Sequence, residues 1–256
     1  MMLKTFLSLV LRLCRISGLS AKLIAVAVMM LCVWDIAEAQ LQAIGSIERI
    51  DSRLDLIVSS DEEMEVLAEG HEWTEGPVWV PALEGVLYSD IPNNAIYLWR
   101  EGGTSSLWLQ PSGYTGETPR GGESGSNGLV LDREGRLLLA QHGDRRIARL
   151  DASWDAPEAK FETLVREFEG KRFNIPNDLA MDLEGRVWFT DPYYEGAGGV
   201  WSQDLAIKDL DHDSVYRLDS QTDGSWAIVR VTFDTTRPNG ILFSLDYSTL
   251  YVAQSG

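Results

Sequence analysis

Cysteine is nearly absent from this sequence: two residues in 256, Cys14 and Cys32, both among the first 39. Without that segment the protein has no thiol, so disulfides, a thiolate zinc site and a cysteine nucleophile are excluded. Basic residues are also few, 22 against 39 acidic, a formal net charge of −17. A surface of that sign repels phosphate backbones and anionic lipid, which argues against nucleic-acid and membrane-surface partners. The longest apolar run is twelve residues, Leu23 to Trp34, too short to span a bilayer comfortably. No Gly-x-Ser-x-Gly pattern occurs, which removes the serine-nucleophile elbow. Nor does any segment beyond residue 39 show a long amphipathic helical period.

The first 39 residues have their own logic. Lys4, Arg12, Arg15 and Lys22 precede or open the apolar run, and Ala37-Glu38-Ala39 follows it. That order predicts a secretory signal peptide over 1–39, cut after Ala39, and an exported, periplasmic or extracellular protein. An uncleaved N-terminal anchor is the alternative. Removal leaves 18 basic and 37 acidic residues, net −19. A large core fed by the eight tryptophans that remain of nine then replaces disulfides as the source of stability. Residues 40–61 form a lead-in, and 62–256 one domain.

Within that domain a pattern recurs about every fifty residues. Glu75-Gly76-Pro77, Asn127-Gly128-Leu129, Asn177-Asp178-Leu179 and Asn239-Gly240-Ile241 each open an apolar run, followed by a Gly- or Asp-bearing turn and a second run. Third strands are expected at Ala95–Trp99, Arg146–Leu150 and Ser214–Leu218, and fourth strands near 106–109, 161–165 and 226–232. Four short strands per repeat predict the blades of an all-β propeller, with about four blades spanned. Met64 to Leu67 reads as an outermost strand without a blade of its own. A propeller must close, so an incomplete ring is expected, with residues 40–256 alone aggregation-prone and inactive.

Each unit opens on a residue ill suited to a buried strand: Glu75, Asn127, Asn177, Asn239. First strands of blades line the central channel, so these oxygens are expected to converge there, a donor set suited to a hard cation such as Ca²⁺. Asn-Gly and Asn-Asp are also ordinary turn formers, and both readings stand at this point. His142, ending a second run, reads as a channel-mouth proton shuttle or as a loop histidine. Asp191 reads as a mouth residue or a turn former before Pro192, and Arg172 as a contact to substrate hydroxyls or an exposed arginine.

Glu75-Gly76-Pro77-Val78-Trp79, Ser89-Asp90-Ile91-Pro92-Asn93-Asn94, Pro111-Ser112-Gly113, Ser126-Asn127-Gly128-Leu129, the Gly170-to-Leu179 string and Arg237-Pro238-Asn239-Gly240-Ile241 follow in order. Together they resemble the gluconolactonase, regucalcin and senescence-marker-protein family of six-bladed propellers, across 62–256. The resemblance implies a metal-dependent hydrolase that opens a sugar lactone. A divalent ion, Ca²⁺ or another, would be held by Glu75, Asn177 and Asn239, with Asn127, Asn177, Arg172 and His142 toward the substrate. It implies a catalytic aspartate in a later Asp-Gly motif, expected beyond Gly256, leaving His142 and Asp191 as the candidates within the chain. The same scaffold hosts calcium-dependent phosphotriesterases and non-catalytic calcium binders, which remain alternatives.

Overall fold

The computed structural model describes residues 42–118, 122–194 and 208–255. The signal segment and most of the long loop after Tyr194 therefore lie outside the described residues. The chain divides into two compact units, Met1–Glu65 and Val66–Gly256. The first holds β1 (Gln42–Ala43) and a 3₁₀ turn, Ser52–Leu56, and β2 (Glu65–Val66) runs over the boundary. Inside this unit the Ile44 N–H donates to the Met64 carbonyl at 2.8 Å. The strand expected at Met64 to Leu67 is present as β2, which pairs with β1 of the lead-in and with no blade among the described residues.

The second unit is a succession of antiparallel sheets. Blade one is β3 (Thr74–Val80), β4 (Gly85–Asp90), β5 (Ala95–Trp99) and β6 (Ser106–Leu109), hydrogen-bonded in that order. Blade two is β7 (Ser126–Leu131), β8 (Leu137–Gln141), β9 (Arg146–Leu150) and β10 (Phe161–Val165). A small hairpin, β11 (Glu167–Phe168) with β12 (Lys171–Arg172), leads to blade three. That blade comprises β13 (Leu179–Met181), β14 (Val187–Asp191), β15 (Ser214–Ser220) and β16 (Trp226–Arg230). A fourth blade contributes β17 (Pro238–Phe243) and β18 (Leu250–Gln254). The fold is all-β and propeller-like, and among the described residues the blades do not close into a ring.

Packing follows from the two-residue period of a strand. Every residue of β8 is buried, because both faces are covered. Leu137 and Leu139 pack with Leu87, Ile96 and Leu98 of blade one. Leu138 and Ala140 pack with Leu179, Val187, Phe189 and Tyr216 of blade three. A continuous run Leu-Leu-Leu-Ala is therefore what a central blade requires, where alternation would leave one face polar. Phe173, Phe189 and Tyr216 fill the second interface with ring centroids 5.1 to 5.3 Å apart.

The turns between first and second strands are built twice from one recipe. In Asp182-Leu183-Glu184-Gly185-Arg186, Asp182 Oδ1 accepts from the Glu184 and Arg186 backbone N–H groups, and Oδ2 accepts from Arg186 Nε and Trp188 Nε1. Gly185 supplies the left-handed φ of +79°. Asp132 makes the equivalent turn with Glu134 and Arg136. Burial opposes the ionised form of Asp182, but the Trp188 and Arg186 donors prevail and hold its carboxyl below the usual range. Its contribution is thus complete above the ordinary carboxylate pKa and is lost as pH falls through the depressed value. Asp182→Ala is expected to lower stability at neutral pH by about 2 kcal/mol, the scale of a buried acceptor that strands several donors. The deficit should narrow in acid. Urea unfolding at pH 7 and pH 3 checks both, and an equal deficit at the two values would contradict the ionised-acceptor account.

Candidate functional site

Three of the four blade openings sit on irregularities of the strand ladder. The register shifts between Glu75 and Val78 in β3, Ser126 and Leu129 in β7, and Pro238 and Ile241 in β17. An extra residue at such a point re-aims the side chains around it, and here the residues concerned are Glu75, Asn127 and Asn239. Blade three differs in detail: β13 starts at Leu179, and Asn177 and Asp178 just before it already bond β14 through Thr190. The Asp178 Oδ1 takes the Leu179 N–H at 2.8 Å, and the Asn177 N–H goes to the Thr190 carbonyl at 2.9 Å.

The openings stand side by side through a series of backbone latches. Ser89 Oγ donates to the Asn127 carbonyl at 2.8 Å, the Gly128 N–H to the Asn177 carbonyl at 2.8 Å, and Thr190 Oγ1 to the Asn239 carbonyl at 2.6 Å. Each blade thereby fastens the backbone carbonyl of the next blade's asparagine and leaves its amide side chain for other work. Asp178 adds a fourth tie, its Oδ2 accepting the Ile241 N–H of β17 at 2.9 Å. The approach is close: a Cβ on Gly76 would lie 2.2 Å from the Asn127 carbonyl oxygen.

Electrostatically the site is acidic and amide-rich. Burial, the largest influence, raises the Asp178 carboxyl above its usual range against the pull of its Ile241 and Leu179 donors, and the charge of Glu75 pushes it the same way. Glu75 itself is half-buried and accepts a hydrogen bond from Trp73 Nε1 at 3.1 Å. Asn127 and Asn177 are buried. The half-buried Asn239 donates from Nδ2 to Tyr194 Oη at 2.8 Å. Among the described residues no three His, Cys, Asp or Glu side chains gather to hold a metal. A donor set here has to combine one carboxylate with amide oxygens, hard ligands of the kind calcium takes.

His142 and Asp191 end the second strands of blades two and three or follow directly. The His142 ring is buried, its Nδ1 lies 3.4 Å from Glu123 Oε2, and neither ring nitrogen has a hydrogen-bond partner among the described residues. Asp191 is fully buried, with Oδ2 accepting the Asn174 N–H at 2.9 Å and Oδ1 unpartnered among the described residues. Burial pushes its carboxyl up to about 8, so at neutral pH it is largely protonated. Arg172 is half-buried, donates from one terminal nitrogen to the Asp144 carbonyl, and keeps Nε unpartnered among the described residues.

Residues 73–256 match the family model described as the SMP-30/Gluconolactonase/LRE-like region. The chain belongs to this family. It is 36% identical to the gluconolactonase of Zymomonas mobilis over 216 residues, 83% of this chain and 57% of that protein. A lactonohydrolase of Aspergillus oryzae is 32% identical over 103 residues, 40% of this chain and 22% of its own. Among solved structures, a gluconolactonase from Xanthomonas campestris superposes with a TM-score of 0.68 at 32% identity, covering 84% of this chain and 65% of that one. The chain thus spans between about half and two thirds of the length of these gluconolactonases.

In this SMP-30/gluconolactonase member several residues near the site escape sequence reasoning. Ser89 and Thr190 read as ordinary strand ends, and only their position one blade before an Asn-Gly opening hints at latching. Asn94 Oδ1 accepts the N–H groups of Ser112, Gly113 and Tyr114. Together with Ser112 Oγ, which accepts from the Ser126 N–H at 3.0 Å, it clamps the 111–114 loop beside β7. Tyr194 lies in a loop with no signal around it.

Proposed function

We propose that this protein opens the ring of a sugar lactone as a metal-dependent hydrolase, exported by its N-terminal segment. The carrying observation is the row of blade openings: the Asn127, Asn177 and Asn239 backbones latched blade to blade, with the Glu75 charge felt at Asp178. Similarity to gluconolactonases along most of the chain supports the substrate class. The donors fit a hard divalent ion, since an uncompensated carboxylate beside buried amides calls for positive charge. Glu75, Asn177 and Asn239 would hold it. When bound, such an ion supplies Lewis acidity toward a carbonyl oxygen.

The chain's own residues do the rest. The latches fix the asparagine backbones, so that positioning requires little reorganisation on binding. Asn127 orients ring hydroxyls by its amide, and Arg172 by its guanidinium. His142, whose ring nitrogens lack partners among the described residues, is the residue suited to pass a proton. Asp178 is occupied by two backbone donors and acts as a tie.

Calcium titration by calorimetry and lactone hydrolysis followed by pH-stat test this reading on the full-length protein. Glu75→Gln should weaken calcium binding at least tenfold, about 1.4 kcal/mol, and Asn127→Ala less. Unchanged affinity in Glu75→Gln would remove the metal site, and turnover of a phosphotriester without any of gluconolactone would overturn the substrate class.

A further inference from the structure

We infer that Tyr194 is a positioning residue that sets the amide of Asn239, so that Oδ1, and not Nδ2, is presented to a hard cation. The inference rests on the reading of Asn239 as a cation ligand. An asparagine amide is nearly symmetric in shape, yet only one of its two ends can bind a cation. The backbone around Asn239 leaves little else to vary. Its carbonyl is held by Thr190 Oγ1 at 2.6 Å, and two residues on, the Ile241 N–H is held by Asp178 Oδ2 at 2.9 Å. What remains is the half-turn of the amide plane.

Tyr194 Oη accepts the Asn239 Nδ2–H at 2.8 Å, which turns Oδ1 away from the phenol. With an ion at Oδ1 only one orientation of the amide remains, and there Nδ2–H needs an acceptor. Tyr194 is that acceptor, so its hydroxyl satisfies the amide in the orientation that an ion requires. The anchor is itself pinned: the Arg237 guanidinium lies 5.9 Å from the Tyr194 ring centroid. The Arg237 N–H donates to Asp213 Oδ2 at 3.3 Å, and its carbonyl accepts the Ser255 N–H at 3.1 Å. Partners that orient a metal ligand in this way are commonly worth tenfold or more in affinity.

The test is a double-mutant cycle read by calcium calorimetry on the full-length protein, with the ion-free melting temperature alongside. Tyr194→Phe should weaken calcium binding about tenfold while the ion-free melting temperature stays within about 2 °C. Asn239→Asp presents an oxygen in either orientation and has no Nδ2–H to satisfy. In that background Tyr194→Phe should change affinity by less than about threefold. An unchanged affinity in Tyr194→Phe overturns the inference, as does an equal loss in both backgrounds, which would mark a purely structural tyrosine. Asn239→Ala separates the two levels: if it leaves calcium affinity intact, the ligand reading fails and takes the role of Tyr194 with it. If Asn239→Ala loses affinity and Tyr194→Phe does not, only the role of Tyr194 fails.

Discussion

Gly76→Ala is expected to destabilise the protein by about 3 kcal/mol and, on the function proposed above, to abolish tight calcium binding. Two costs add. Gly76 holds φ at +59°, a conformation that costs an L-residue about 1 kcal/mol. Its new Cβ would also lie 2.2 Å from the Asn127 carbonyl oxygen and 2.9 Å from the Gly128 Cα. Both obstacles are backbone, and neither can swing aside as a side chain can. The Asn127 carbonyl holds Ser89 Oγ, and the Gly128 N–H holds the Asn177 carbonyl. Any relief therefore shifts three blades together, an overpacking cost of about 2 kcal/mol. Gly102→Ala is the control, since Gly102 has φ +69° with nothing within 4 Å of the added carbon, and it should lose only about 1 kcal/mol. Urea unfolding of both variants decides the matter, and Gly76→Ala no worse than Gly102→Ala would refute the close-approach account.

The second large effect concerns pH. Asp191 is fully buried, and its carboxyl is raised by burial to about 8 despite two backbone donors, Asn174 and Ile175. In the unfolded chain it returns to roughly 4. Between those values the unfolded state holds fewer protons than the folded one, so stability falls as pH rises from about 4 to 8 and is level on either side. Asp191→Asn keeps the shape and one carbonyl for the two donors but cannot ionise. It should match the parent protein near pH 4 and exceed it by a few kcal/mol at pH 8. Denaturant unfolding across that range reads the slope directly. A parent and variant that decline in parallel would show that Asp191 is not the titrating group.

Much of this fold is written in local patterns. The continuous Leu137-Leu138-Leu139-Ala140 run, the Glu-Gly turns and the fifty-residue recurrence place nearly every strand, because alternation and turn chemistry act over a few residues. The sequence is silent where structure depends on a distant partner. Met64 to Leu67 reads as a strand without a blade, and only the structure names its partner, β1 in the lead-in. The hairpin of Glu167–Phe168 with Lys171–Arg172 is too short and too polar to show a period. For the site, Glu75, Asn127, Asn177 and Asn239 stand out as polar breaks in apolar runs. Tyr194 does not, because a tyrosine in a loop has no pattern to break. Asp191 looks like any turn aspartate, because the Asn174 N–H that meets its buried carboxyl comes from a separate stretch of the chain.

The latches also divide the labour of each blade. All of them lie where first and second strands begin and end beside the axis. The outer turn at Glu101 to Thr104 is fully exposed, and its Gly102 has empty space around it. Sequence drift, or even inserted peptides, at that rim would be absorbed before reaching the row of asparagines. Such a protein can change its coat, and with it solubility or the company it keeps, while the chemistry at the centre stays the same.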